Sequence, residues 1–149
     1  HCQLCRSTGK TSGQLLADNT RRCVDTIRAV NPKAEILVWS DMFDPHHNAR
    51  ANYYLANGTL ANSWEGLDKS VVVVNWNRGK STRALKWFAD RGHRQLIAGY
   101  YDGNPETNYH RWQEGAKGVD GVLGYMYTTW RNRYDDLETF AKLVRSGQK

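Results

Sequence analysis

The sequence predicts an α/β fold built on a parallel sheet, because four short apolar runs alternate with segments of helical periodicity. Each run is rich in branched or aromatic residues and apolar on both faces, which is typical of strands buried in a parallel sheet. The intervening segments are long enough for the crossovers that parallel strands require. A chain of 149 residues suits one domain, and no linker divides it, so we expect residues 1–149 to form a single unit.

The four predicted strands are short. They cover residues 34–39, 70–76, 95–100 and 121–127. No unbroken apolar run exceeds four residues, as at Val71–Val74. A membrane-spanning helix needs about 20 such residues, so we expect no membrane segment.

Four helices are predicted between and around these strands. They cover residues 14–30, 80–91, 106–117 and 135–144. Asn31-Pro32 ends the first helix, while Gly92 and Gly118 follow the second and third as C-terminal caps. Pro105 stands where a first helical turn tolerates proline. Within residues 52–64, Asn57-Gly58 between apolar flanks predicts a small β-hairpin with a type I′ turn.

Charge and cysteine content restrict the partners. The net charge is +6 and the pI is near 9.3, but the basic residues are scattered singly, which argues against a nucleic-acid partner. A nucleotide-binding or nucleic-acid-binding domain remains an alternative, although Gly79-Lys80-Ser81 lacks the earlier glycine of a phosphate loop. Cys2 and Cys5 form a C-x-x-C pair without a second pair at zinc-site spacing, so we expect packing roles, no metal and no cofactor.

Each predicted strand ends in a large aromatic residue followed within two positions by a hydrogen-bonding side chain. The four ends read Trp39-Ser40-Asp41, Trp76-Asn77-Arg78, Tyr100-Tyr101-Asp102 and Trp130-Arg131-Asn132. The carboxyl ends of parallel strands meet at one edge, where ligands bind. Sugars require aromatic rings for their C–H faces and paired polar groups for their hydroxyls, so the pattern predicts a saccharide pocket. The alternative for any one of these aromatics is core packing.

This arrangement resembles the last four strands of family 20 glycoside hydrolases, the β-N-acetylhexosaminidases. The resemblance covers about residues 14–145 and depends on strand order and on single aromatic residues. It implies that the four strand-helix units are the carboxyl-terminal half of a (β/α)₈ barrel. Since the chain begins with His1, we expect it to be a piece of a longer protein.

The resemblance also implies roles for individual positions. Trp39 looks equivalent to a tryptophan lining the sugar subsite, with Asp41 at the acidic position of that motif. Trp76 looks like the tryptophan that floors the pocket. Tyr100 or Tyr101 would match the tyrosine that hydrogen-bonds the substrate acetamido group. Asp102 looks equivalent to a carboxylate that holds sugar hydroxyls. Trp130 looks equivalent to the tryptophan of the eighth strand. Asn132 stands where the family has a hydroxyl-binding glutamate.

One family feature is absent. Family members carry an Asp-Glu pair at the fourth strand, in which the glutamate is the general acid, and no Asp-Glu dipeptide occurs in this chain. We therefore expect sugar-binding walls without catalytic residues, and self-association as a dimer through open sheet edges or faces. An autonomous carbohydrate-binding or weakly active glycosidase module is the alternative, using carboxylates among Asp41, Asp44, Asp102 and Glu65.

Overall fold

A computed structural model describes residues 2–55 and 58–147. The predicted helices and strands are present, with one additional short helix at the start. The helices are α1 (Gln3–Ser7), α2 (Ser12–Val30), α3 (Ser81–Ala89), α4 (Pro105–Ala116) and α5 (Leu137–Ser146). The strands are β1 (Leu37–Trp39), β2 (Tyr54–Leu55), β3 (Gly58–Thr59), β4 (Val72–Asn75), β5 (Gln95–Ile97) and β6 (Val122–Tyr125).

The main sheet has four parallel strands in the order β1-β4-β5-β6, so each strand lies beside the next one along the chain. The predicted α/β class with a parallel sheet is therefore confirmed. All four strands are shorter than predicted: β1 begins three residues later than expected and ends at Trp39 as expected, whereas β4, β5 and β6 end before their apolar runs do. The sequence placed Trp76, Tyr100 and Tyr127 at the ends of three predicted strands. In the structure, each of them lies beyond the end of its strand.

The hairpin forms a separate two-stranded antiparallel sheet, in which Tyr54 pairs with Thr59 and Leu55 with Gly58. This confirms a hairpin within residues 52–64. The predicted turn residue Asn57 lies outside the described residues.

The helix ends follow the sequence closely. The Thr11 hydroxyl accepts the N–H of Gln14, and the Gln14 side chain accepts the N–H of Thr11, which is a reciprocal capping box at the start of α2. The Asn104 side chain caps α4 with Pro105 in its first turn. Gly92 and Gly118 have φ of +79° and +67°, conformations in which glycine avoids the steric cost of a side chain.

The helices pack on one face of the sheet. Val38 and Val73 contact Leu16 of α2 and Phe88 of α3 in one apolar cluster. Ile97, on the same face as Val73 by strand register, packs with Leu85 of α3 and Trp112 of α4 in a second cluster. A third cluster joins Tyr101, Tyr109 of α4 and Phe140 of α5.

The opposite face of the sheet is open at β1. Because side chains alternate along a strand, Leu37 and Trp39 point away from the cluster that holds Val38. Both are half exposed, at 45% and 50%. Val38, which points to the opposite face, is less exposed than either of them.

The three cysteines lie at the surface. Cys2, Cys5 and Cys23 are exposed free thiols, so the packing role expected for Cys2 and Cys5 is wrong. Both lie in or beside the short helix α1, which contains no buried residue.

Residues 2–55 and 58–147 contain no cluster of three potential metal ligands. Within the same ranges, no helix has the length and apolar content needed to cross a bilayer.

The backbone of α2 and the backbone of the turn before β4 lie very close together. Gly66 lies in the 3₁₀ turn Ser63–Gly66, and a Cβ at this position would overlap the backbone of Ala17. We expect Gly66→Ala to destabilise the fold by about 1–3 kcal/mol, because two backbones must separate. A Cβ on Gly79 meets no atom within 4 Å, so Gly79→Ala is the matched control. Urea unfolding of both variants measures the difference, and equal midpoints would contradict this packing.

Candidate functional site

A hollow of about 400 Å³ lies at the carboxyl edge of the main sheet. All four strand-end segments contribute to it. Its walls are formed by Trp39, Asp41, Met42, Trp76, Ala98, Tyr100, Thr128 and Trp130. Five of the eight predicted site residues therefore meet around one cavity: Trp39, Asp41, Trp76, Tyr100 and Trp130.

The sheet itself brings these residues together. Trp39 is the last residue of β1, Trp76 follows β4 directly, and Tyr100 lies three positions after β5. Trp130 reaches the hollow from the loop after β6. Since the strands are parallel and adjacent, all of these loops leave the same edge.

Trp76 is the central side chain of the hollow. Its indole Nε1–H donates to Asp41 Oδ1 at 3.2 Å. Its ring lies 6.2 Å from the Trp130 ring, tilted by 42°, and meets the His47 ring edge-on at 4.6 Å. The indole is held in place by a hydrogen bond and a ring contact while part of its surface stays accessible.

Asp41 is the one carboxylate among the lining residues. Its Oδ2 accepts from Asn48 Nδ2 at 3.1 Å, and its backbone carbonyl accepts from Asn48 N at 3.0 Å. Trp76 and Asn48 thus orient the carboxylate and each occupies one of its oxygens. A carboxylate oxygen accepts more than one hydrogen bond, so Asp41 can still accept from a ligand hydroxyl.

Asp44 and Asp102 have a different role, since each ties two neighbouring loops together. Asp44 is fully buried and accepts from His46 N at 2.7 Å and from Asn77 Nδ2 at 2.8 Å. This joins the loop after β1 to the loop after β4. Asp44 is therefore bound within the loops and is not a lining residue of the hollow.

Asp102 joins the loops after β5 and β6. Its carboxylate accepts from the Thr129 hydroxyl, from Trp130 N at 2.5 Å and from Arg131 N at 3.1 Å. Burial acts to raise the pKa of this carboxyl, but the three hydrogen bonds outweigh it and hold the pKa below its ordinary value of 3.8. Asp102 is 2% exposed and does not line the hollow, so it acts by positioning Trp130.

The two adjacent tyrosines point to different places. Tyr100 lines the hollow, whereas Tyr101 is fully buried between Tyr127, stacked at 5.6 Å, and Phe140 at 4.4 Å. Burial raises the pKa of the Tyr101 phenol above its usual value. Of the two tyrosines offered by the sequence, only Tyr100 is placed to contact a ligand in the hollow.

Asn132 does not join the lining residues either. It is exposed and adopts a left-handed backbone conformation, with φ of +55°. Asparagine tolerates this conformation better than most residues, so Asn132 has a local role in the turn after Trp130.

Comparisons of the chain with protein-family models, with curated proteins and with solved structures found no match. A function for this chain can therefore be inferred only from the residues that line the hollow.

Sequence reasoning missed three lining residues: Met42, Ala98 and Thr128. Each lies within two positions of a predicted site residue, but none combines with it in a recognisable motif. Ala98 is buried just after β5, and its small side chain leaves space among the aromatic rings. Thr128 is held by a hydrogen bond from its hydroxyl to the Gly99 carbonyl.

The carboxylates available define what the hollow can do chemically. Glu65 accepts from the neighbouring Trp64 indole at 3.0 Å and is not among the lining residues. With Asp44 and Asp102 bound within the loops, Asp41 is left as the single lining carboxylate. Most glycosidases use a pair of carboxyl groups, and the described residues place one carboxylate, Asp41, in the wall of the hollow.

The ionisation of Asp102 generates a pH-dependent stability prediction. A carboxyl whose pKa is lowered on folding adds stability above its unfolded-state pKa, and loses it as pH falls through the folded-state value. We expect Asp102→Asn to destabilise the chain at pH 7 and the difference from wild type to shrink below about pH 4.

Urea unfolding of wild type and Asp102→Asn at pH 7 and pH 3 measures this effect. Asp120→Asn, which alters an exposed carboxylate, is the matched control and should show little difference at either pH. A penalty for Asp102→Asn that is the same at both pH values would contradict the role of the ionised carboxylate.

Proposed function

We propose that this chain supplies the sugar-binding walls of a glycoside hydrolase-like barrel and has little or no hydrolytic activity alone. One observation carries the proposal: Trp39, Trp76, Tyr100 and Trp130 surround a single hollow that also contains the Asp41 carboxylate. Aromatic rings and an oriented acceptor are the groups that a pyranose requires.

The size and character of the hollow support a sugar ligand. Small-molecule sites typically enclose about 300–1,000 Å³, and about 400 Å³ accommodates one pyranose ring. The exposed fraction of Trp130 is 74%, which leaves its ring free for stacking. Asp41, oriented by Trp76 and Asn48, is placed to accept from a sugar hydroxyl.

The half-barrel part of the proposal is supported by topology. A (β/α)₈ barrel has parallel strands in chain order with helices outside, and this sheet has both properties in its four strands. Doubly wound folds reverse their strand order and place helices on both faces. Leu37 and Trp39 would then belong to the interior face of the barrel. The resemblance of the strand ends to family 20 enzymes agrees with this assignment.

Among the described residues, Asp41 is the one carboxylate that lines the hollow. The lack of a second supports the proposal that this chain has little hydrolytic activity alone. In the family 20 enzymes that the strand ends resemble, the Asp-Glu pair belongs to a strand outside the four present here. The autonomous active module is less well supported, because Asp44, Asp102 and Glu65 do not line the hollow.

Replacement of Trp76 tests the sugar-binding role. We expect Trp76→Ala to weaken binding of N-acetylglucosamine by about 1–3 kcal/mol, because the ring that floors the hollow and orients Asp41 is lost. Trp64→Ala is the control, since Trp64 packs against Trp87 outside the hollow. Titration followed by NMR of the indole N–H groups measures both. Equal affinity of the two folded variants, or no binding by wild type, would contradict the proposal.

We also propose that the chain self-associates, with a second copy covering its open sheet surface. Within the described residues, β1 and β6 each pair with a strand on one side only, and Leu37 and Trp39 are half exposed on the face of β1 opposite Val38. Two four-stranded units could close an eight-stranded sheet.

Solution mass tests the self-association. We expect sedimentation equilibrium to give a mass near twice the 17.1 kDa of one chain. Leu37→Lys should shift the equilibrium toward monomer, whereas Leu4→Lys, at an exposed leucine of α1, should not. A well-ordered wild-type monomer at all concentrations would overturn this part of the proposal.

A further inference from the structure

We propose that a compartment beside the hollow binds the negatively charged group, a carboxylate or a sulfate, of an acidic sugar. This inference rests on the proposed sugar-binding function. The compartment, called the annex below, encloses about 310 Å³. Its walls are formed by His47, Trp76, Asn77, Arg78, Gly79, Tyr100 and Trp130.

The annex and the hollow form one continuous site. Trp76, Tyr100 and Trp130 line both spaces. A ring that stacks on Trp76 or Trp130 therefore has one end toward the hollow and the other toward the annex. A substituent on the second end enters the annex without a new opening.

The two ends of this site differ in charge. The hollow contains Asp41, whereas the annex contains Arg78 and has no carboxylate among its lining residues. Within residues 2–55 and 58–147, Arg78 makes no ion pair, and it is exposed. A guanidinium offers parallel N–H groups that match the oxygens of a carboxylate or sulfate. An anionic substituent is thus favoured in the annex and disfavoured beside Asp41.

The backbone that carries Arg78 is anchored to the stacking ring. Arg78 begins the 3₁₀ turn Arg78–Lys80, and its N–H donates to the Trp76 carbonyl at 2.8 Å. The preceding Asn77 donates its amide to buried Asp44 at 2.8 Å and to the His46 carbonyl at 3.2 Å. These bonds hold the start of the turn, and therefore the backbone of Arg78, beside Trp76.

His47 adds a second polar group to the annex. Its ring meets Trp76 edge-on at 4.6 Å, and its Nδ1 is buried without a hydrogen-bond partner in the described structure. The His47 ring is half-buried and forms part of the wall of the annex. Asn77 has its amide N–H groups engaged by Asp44 and His46, so Arg78 is the cationic side chain that lines the annex and can contact an anion.

Matched sugars separate the annex from the hollow. The probes are methyl glucoside, methyl glucuronide, which differs by a carboxylate at one carbon, and glucose 6-sulfate. Titrations of the 149-residue chain are followed by NMR of the indole N–H groups at low ionic strength. We expect at least one anionic probe to bind about tenfold more tightly than the neutral glucoside, with the preference decreasing as salt is added.

The variant Arg78→Gln should abolish that preference, lowering the affinity for the anionic probes about tenfold more than the affinity for methyl glucoside. Arg83→Gln is the matched control, because it removes the same charge from an exposed position on α3 that does not line the annex. We expect it to retain the tenfold preference. Tighter binding of the glucuronide alone would identify a carboxylate ligand, and tighter binding of the sulfate alone a sulfate ligand.

The outcomes distinguish this inference from the proposed function. Binding of methyl glucoside with no preference for either anionic probe overturns the annex and leaves the sugar-binding hollow in place. Equal loss of preference in Arg78→Gln and Arg83→Gln also overturns it, because the effect would then reflect net charge alone. If no sugar binds to the folded wild type, the proposed function and this inference both fail.

Discussion

The parallel alignment of four strands in chain order is the constraint on which the rest of this structure depends. It sends every strand-end loop to the same edge of the sheet, so residues up to about 90 positions apart in sequence, from Trp39 to Trp130, surround one hollow. The same alignment places the helices on one face, where Val38, Val73 and Ile97 pack against them. Core and site are thus two consequences of one arrangement.

Buried carboxylates then hold the loops that the strands deliver. Asp44 binds the Asn77 side chain, and Asp102 binds the backbone N–H groups of Trp130 and Arg131. Asp44 accepts one hydrogen bond from its own loop and one from the next, and Asp102 accepts three from the next loop, so the burial of each polar group is compensated. Asp41 instead accepts from two side chains, those of Asn48 and Trp76, and lines the hollow. Identical side chains therefore serve different purposes according to the donors around them.

Much of the fold could be predicted from local patterns, because helix caps, apolar periodicity and short branched runs act over a few residues. Gly118 follows the C-cap of α4 as expected, Gly92 lies three residues beyond the end of α3, and the four parallel strands occur where the apolar runs lie. The short helix α1 was missed, since it buries nothing and has no periodic apolar face. The end of β1 at Trp39 was predicted correctly, but the ends of β4, β5 and β6 were placed too late, because the point at which a backbone leaves the ladder depends on the neighbouring strand.

The sequence by itself determined the α/β class, the positions of the helices and strands, and the aromatic character of the strand ends. Only the tertiary structure decided which of those side chains share a cavity: Tyr100 lines the hollow while its neighbour Tyr101 is buried under Phe140. Adjacent residues in extended chain point to opposite sides, and which side is open depends on where the helices pack. That packing is set by contacts between distant parts of the chain, so no local pattern encodes it.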